Sequence, residues 1–237
     1  MANDYFQFKQ FRIRQSGAAF KVGTDGVLLG ACSDLEGASS VLDIGTGTGL
    51  IAIMAAQRSH AEVTAIEPEE ASFAQASDNI KLCKWSERIN VIHTGFKDYY
   101  LTTDKKFDII ITNPPYFRNS LENPDHIKSG TRHSYSLPSH EILEGAKLLL
   151  EAEGNLQLIL PSEEASLFIG EAQEYGFYCN RLINIKPVPG GDIIRRIMKF
   201  EKVRRPLQQN FLTIETGTRH HYTKVYREIT KDFYLDE

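Results

Sequence analysis

The chain holds one tryptophan, three methionines and three cysteines in 237 residues. Cys32, Cys83 and Cys179 are odd in number and far apart, which excludes a paired disulfide framework and any metal-ligand spacing built on them. No metal requirement is expected. No window approaches the ~18 consecutive apolar residues of a membrane-crossing helix, and the opening MANDYFQFKQF lacks the basic-then-apolar layout of a secretory leader. The expectation is a cytoplasmic protein with no membrane contact and no obligate protein partner. Bulk positive charge is missing too. A formal net charge of −4 and a pI near 6.0 exclude a protein that coats nucleic acid by charge alone, leaving only a local basic patch for such a purpose. Repeats, low-complexity tracts and linker-like stretches are absent. With 41% hydrophobic and 24% charged residues, the chain suits one α/β domain over 1–237: a pocket-closing arm (1–39), a core sheet (40–203) and a C-terminal extension (204–237).

What is present is an alternation of apolar runs and helix-forming runs. SVLDIG (Ser40–Gly45), GLIAIMAAQR (Gly49–Arg58) and AEVTAIE (Ala61–Glu67) read as one β-α-β unit. Pro68 and the helix formers of Glu69–Leu82 follow. INVIHTG and FDIIITN add two strands with a short connection between them, then come a polar loop (Arg118–Tyr135), a helix from Ser139 to about Leu150, and the strand NLQLILP. Ser162 with Glu163 and Glu164 suits a helix start. Tyr178–Val188 and Ile193–Val203 flank the turn PVPGGD, which predicts an antiparallel hairpin. The pattern predicts a doubly wound, seven-stranded, mostly parallel Rossmann-like sheet with that hairpin at its edge.

Two motifs carry chemistry. In DIGTGTG, Asp43 to Gly49, glycines at Gly45, Gly47 and Gly49 follow a strand and let main chain turn tightly against a ligand. The spacing is G-x-G-x-G after an acid rather than the dinucleotide G-x-G-x-x-G, which suits an amino group better than a diphosphate. Glu67, ending the next strand, stands where a carboxylate accepts ribose hydroxyls. The second motif is NPPY, Asn113 to Tyr116, directly after a β-branched strand. Its prolines fix φ and remove two donors, so the Pro114 carbonyl and the Asn113 side-chain oxygen are paired acceptors for an amino group. Holding both hydrogens of a conjugated amine turns its lone pair towards an electrophile, a matter of positioning rather than strong base catalysis. Tyr116 offers a face to a planar group such as a base lifted from its stack.

Together, DIGTGTG and NPPY resemble the class I S-adenosyl-L-methionine-dependent methyltransferases that modify planar amino nitrogens, over about Phe20 to Phe200. FKQFRIRQ…FKVGTDGVLLGA near the start and YREITKDFYL at the end are similar to the bacterial tRNA(Val) adenine-N6-methyltransferase family, which methylates adenine 37 beside the anticodon. The resemblance implies S-adenosyl-L-methionine as cofactor and the anticodon loop of a tRNA as substrate. It implies that Asp43, Gly45, Thr46, Gly47 and Gly49 hold the methionine portion, Glu67 the ribose, and Asn113, Pro114 and Tyr116 the target adenine. Lys21, Val22, Gly23 and Thr24 would close one side of the pocket. One departure stands out. Many relatives carry an acid after the third strand, where this chain has Gly95-Phe96 with Asp98 beyond; Phe96 would pack on the cofactor adenine while Asp98 or a backbone amide reads its edge.

For the RNA backbone, Arg195 to Arg205 carries Arg195, Arg196, Lys199, Lys202, Arg204 and Arg205 against Glu201 alone. Strand alternation sends Arg195 and Arg196 to opposite faces, so some of these are ordinary solvated edge charges. The N-terminal arm (Lys9, Arg12, Arg14 and Lys21 among Phe6, Phe8 and Phe11) is a second candidate, with an edge hairpin as its plain structural reading. TRHHYTKVYR is a third, and His126, His133 and His140 share a seven-residue step by chance. The loop Arg118–Tyr135 reads as a lid. A protein glutamine-N5 or RNA guanine-N2 methyltransferase uses the same clamp chemistry, and a non-catalytic methyltransferase-like binding module is the alternative of another class.

Overall fold

Strand β3 (Ser40–Ile44) is buried along nearly its whole length, as a strand covered on both faces must be. In the computed structural model, which describes residues 4–16, 21–115 and 137–235, it is a central strand of an eight-stranded sheet. The others are β4 (Glu62–Glu67), β5 (Ile89–His93), β6 (Phe107–Thr112), β7 (Leu150–Pro161), β8 (Tyr178–Lys186), β9 (Arg195–Glu201) and β10 (Gln208–Thr213). Their order is β10-β8-β9-β7-β6-β3-β4-β5. Only β9 runs against the rest, antiparallel to both β7 and β8. The anticipated hairpin is therefore present. It is not the sheet's edge, however, because β10 pairs in parallel with β8 and adds an eighth strand from the segment assigned to the extension.

Alternate residues of each strand face two helical layers. Val41, Val63, Ile109 and Ile111 pack towards α1 (Thr24–Cys32), α2 (Leu50–Arg58), α3 (Glu70–Lys81) and α7 (Lys224–Thr230). Leu42, Ile110, Leu156 and Met198 pack towards α4 (Phe96–Thr102), α5 (Ser139–Leu149) and α6 (Ser162–Glu174). Each such Leu or Ile, fully buried, is worth about 1.5–3 kcal/mol. The connection between β5 and β6 holds α4, where a short link was expected. Its aromatics fill the second layer: a Cβ on Gly145 of α5 would lie 2.3 Å from Phe96 Cζ, so that glycine makes room for the ring.

Residues 5–14 form a separate hairpin of β1 (Tyr5–Gln7) and β2 (Arg12–Arg14), with Phe8 and Phe11 buried. It sits on α3 and the end of α7, where the Lys9 amide donates to the Phe233 carbonyl at 2.8 Å. Among the described residues, no helix is long and apolar enough to cross a membrane. Tyr116, the loop Arg118–Tyr135, His126 and His133 lie outside the described residues.

Candidate active site

The chain turns immediately after β3. Gly45, Gly47 and Gly49 have φ of +68°, +57° and +83°, values at which an L side chain costs about 1–2 kcal/mol. A Cβ at Gly45 or Gly47 would meet nothing within 4 Å, so backbone conformation, not crowding, demands glycine there, and the loop's outer side is open. The loop is tied to β4: the amides of Gly45 and Thr46 donate to the Ile66 carbonyl at 3.0 and 3.1 Å, and the Gly47 amide donates to Glu67 Oε2 at 2.8 Å. Glu67 Oε1 accepts from the Glu69 amide at 3.1 Å. Burial raises the Glu67 pKa, against the two amides.

Asp43 lies beneath this loop, 1% exposed. Its Oδ2 accepts from the Thr46 hydroxyl at 2.6 Å, while Oδ1 is buried with no partner in hydrogen-bond geometry. Burial pushes the carboxyl up to about 7, opposed by the Thr46 hydroxyl and the nearby Ala52 amide and reinforced by the charge of Glu67. A buried acceptor left unpaired costs about 1–3 kcal/mol, and a cationic amino group is the chemistry that relieves both the missing bond and the missing charge. The donor set thus fits the amino-acid end of a methionyl sulfonium nucleoside, with Glu67 placed for hydroxyls.

Strand β6 is the direct neighbour of β3, with Ile44 opposite Thr112 and the Thr112 hydroxyl donating to the Ile44 carbonyl at 3.1 Å. Gly45 and Asn113 are consequently the first residues past the ends of adjacent strands, about 5 Å apart in strand spacing. Pro114 is buried and Asn113 half-buried. A Cβ on Gly26 of α1 would lie 3.9 Å from Asn113 Nδ2, so α1 flanks the amide. Just before α1, Lys21 and Thr24 are exposed, and the Val22 amide donates to Gln15 Oε1 at 2.9 Å.

Other expected residues are placed differently. Phe96 is 4% exposed, its ring edge-on to Tyr100 at 5.2 Å and against Gly145 at the α4–α5 interface. Asp98 is exposed in the first turn of α4. The basic run is largely engaged within the chain. Arg195 pairs with Asp25 at 2.8 Å. Arg196 donates to Asn184 Oδ1 at 3.2 Å and to the Ser162 carbonyl at 3.1 Å on the opposite face. Lys199 bridges Asp34 and Glu201 at 2.9 and 3.1 Å. Arg205 reaches Glu201 at 3.3 Å and Arg204 lies over the Tyr178 ring at 6.0 Å, both in exposed positions.

One residue the sequence did not single out is Asn79 of α3, 1% exposed. Its Nδ2 donates to the Thr48 carbonyl of the glycine loop at 2.9 Å and to the Arg14 carbonyl at 2.8 Å, while Oδ1 accepts from the Arg14 amide at 2.9 Å. It braces the loop against the N-terminal hairpin. An asparagine inside a helix-forming run, where its propensity is poor, was the available signal.

Residues 21–166 match the model of the methyltransferase small domain. The chain belongs to that family. This methyltransferase is 42% identical over 237 residues to a Bacteroides thetaiotaomicron protein named tRNA1(Val) (adenine(37)-N6)-methyltransferase, covering 99% of each chain. A Trichodesmium erythraeum protein of the same name is 41% identical over 238 residues, again 99% of each. Among solved structures, a predicted O-methyltransferase of Agrobacterium tumefaciens shares the methyltransferase's fold with a TM-score of 0.66 at 20% identity, covering 88% of this chain and 96% of that one.

Proposed function

We propose that this chain transfers a methyl group from S-adenosyl-L-methionine to the exocyclic N6 of an adenine in tRNA, adenine 37 of a valine tRNA. The observation that carries the reading is the open glycine loop, with the unpartnered Oδ1 of Asp43 beneath it, one strand from Asn113-Pro114-Pro115. Relatives above 40% identity over essentially the whole chain bear the name of that activity.

When bound, S-adenosyl-L-methionine supplies an electrophilic sulfonium methyl. Asp43 meets its amino group, Glu67 its ribose hydroxyls, and Gly45, Thr46, Gly47 and Gly49 line its methionine portion. Lys21 and Thr24 border the same pocket, and at its adenine end Phe96 supplies the packing surface while Asp98, exposed in the first turn of α4, reads the edge. Asn113 and the Pro114 carbonyl accept the two hydrogens of the target amine, so its lone pair is drawn out of conjugation with the ring and aimed at the methyl group, and one of those protons is lost to solvent after transfer. Tyr116 holds the base, a stack worth about 1–3 kcal/mol against the few kcal/mol of extrusion. Arg204 and Arg205, the exposed arginines of the basic run, meet RNA phosphate. The whole chain acts as one unit in the cytoplasm, β10 extending the sheet that carries the site.

The test is methyl transfer from labelled S-adenosyl-L-methionine to total tRNA from a strain lacking the protein, with nucleoside identification and an Asn113→Ala control. Label in N6-methyladenosine from one tRNA, abolished in the control, is the expected result. Label in a protein glutamine instead, or cofactor binding with no acceptor, would refute the reading.

A further inference from the structure

The outer strand β10 leaves a large aromatic uncovered. Leu212 faces inward and is 1% exposed, whereas Phe211 on the opposite face is 60% exposed, because α6 packs on β7, β8 and β9 and β10 lies one strand beyond them. The Lys186 ammonium stands 6.0 Å from the Phe211 ring centroid.

The register locates this pair relative to the clamp. Thr112 lies opposite Leu158, Leu158 opposite Met198, Met198 opposite Leu182, and Leu182 opposite Gln209. The strands β6 and β10 run the same way, so Phe211, two residues past Gln209, is level with Pro114, two residues past Thr112. Four strand spacings separate them, about 19 Å. Charge singles out the same region. The segment that leads into β10, residues 202–210, contains Lys202, Arg204 and Arg205 and no acid, in a chain of net charge −4.

We infer that β10 is an RNA platform: an unpaired base of the substrate RNA stacks on Phe211 while Lys186 meets a neighbouring phosphate, about 19 Å from the adenine held at Asn113. Aromatic stacking accepts any base, and Lys186 with the exposed Arg204 and Arg205 before the strand supplies the phosphate attraction. The inference rests on the tRNA substrate proposed above and adds a second contact to it. The surface suits RNA better than a second copy of the chain, since the segment's own positive charge repels its like.

The experiment measures binding of a valine tRNA transcript to the full chain by fluorescence anisotropy, with methylation kinetics and cofactor titration alongside. Phe211→Ala is expected to weaken tRNA binding about 5- to 50-fold and to raise KM for tRNA, with kcat and cofactor affinity unchanged; Phe211→Tyr restores binding. Lys186→Gln is expected to lower the slope of log affinity against log salt by about 1. Unchanged tRNA affinity in Phe211→Ala, while the parent binds and methylates tRNA, overturns the platform alone. A parent that binds no tRNA overturns the platform and the proposed function together. A parent dimer by light scattering that dissociates on Phe211→Ala, with RNA affinity intact, assigns the strand to self-association and overturns the inference.

Discussion

Replacing Asp43 by asparagine separates ligand binding from stability, because the carboxyl is buried where its charge is unfavourable. The folded group titrates at about 7 against an ordinary 3.8. Below pH about 4 both folded and unfolded chains hold the proton, and the site is neutral to stability. Between about 4 and 7 the unfolded chain ionises first and stability falls; above about 7 the loss is complete. At 1.36 kcal/mol per unit, the deficit is about 1.5 kcal/mol at pH 5 and about 4 kcal/mol at pH 8. The substituted amide keeps an acceptor for the Thr46 hydroxyl and removes the titration, so Asp43→Asn should gain about 2.5 kcal/mol on its parent between those pH values. Any pH-independent cost of burying the new amide cancels in that difference. Urea denaturation of both proteins without ligand, from pH 5 to 8, reads it directly. Calorimetry should show the variant binding S-adenosyl-L-methionine about 10- to 100-fold more weakly, the loss of one charge-assisted contact, and the parent releasing protons on binding near pH 7. A stability difference flat across this pH range would refute the account of Asp43.

Gly145→Ala should cost about 1–3 kcal/mol in urea denaturation, since the new methyl would stand 2.3 Å from Phe96 Cζ and 2.7 Å from Tyr100 Cδ1; an unchanged midpoint would show that α4 and α5 separate freely. Asn79→Ala should lose about 3 kcal/mol and weaken cofactor binding, because the Thr48 carbonyl loses its brace. If stability falls while cofactor affinity holds, the brace does not shape the loop.

The central strands were legible because their apolar runs are short, β-branched and bounded by glycine or proline, as SVLDIG and FDIIITN show. The glycine loop was legible down to its three left-handed positions, since only glycine tolerates that backbone. β10 was not. Gln208, Gln209 and Asn210 are exposed and polar, so no alternation marks QQNFLT as a strand, and its pairing with β8 is a tertiary fact. The helix α4 escaped because FKDYYLT is rich in aromatics that favour strands; packing against α5 decides it instead. Basic residues were legible as charges but not as partners: Arg195 and Lys199 meet Asp25 and Asp34 from segments 170 and 165 residues away. The packing of Phe96 escaped for the same reason, its neighbour Gly145 being invisible from position 96.

The sheet order has a consequence for how the chain is made. Strand β8 is hydrogen-bonded to none of β3 to β7; its hydrogen-bonding neighbours are β9 and β10, which the ribosome produces later. At about 5–20 residues per second, β8 waits on the order of one to three seconds for β9 to arrive and fill the gap beside β7. By then β3, β4 and β6, with the glycine loop and the asparagine clamp, are already out. A chain cut short near residue 190 would carry the methyl-donor pocket and an orphan strand, with no β9 to join them.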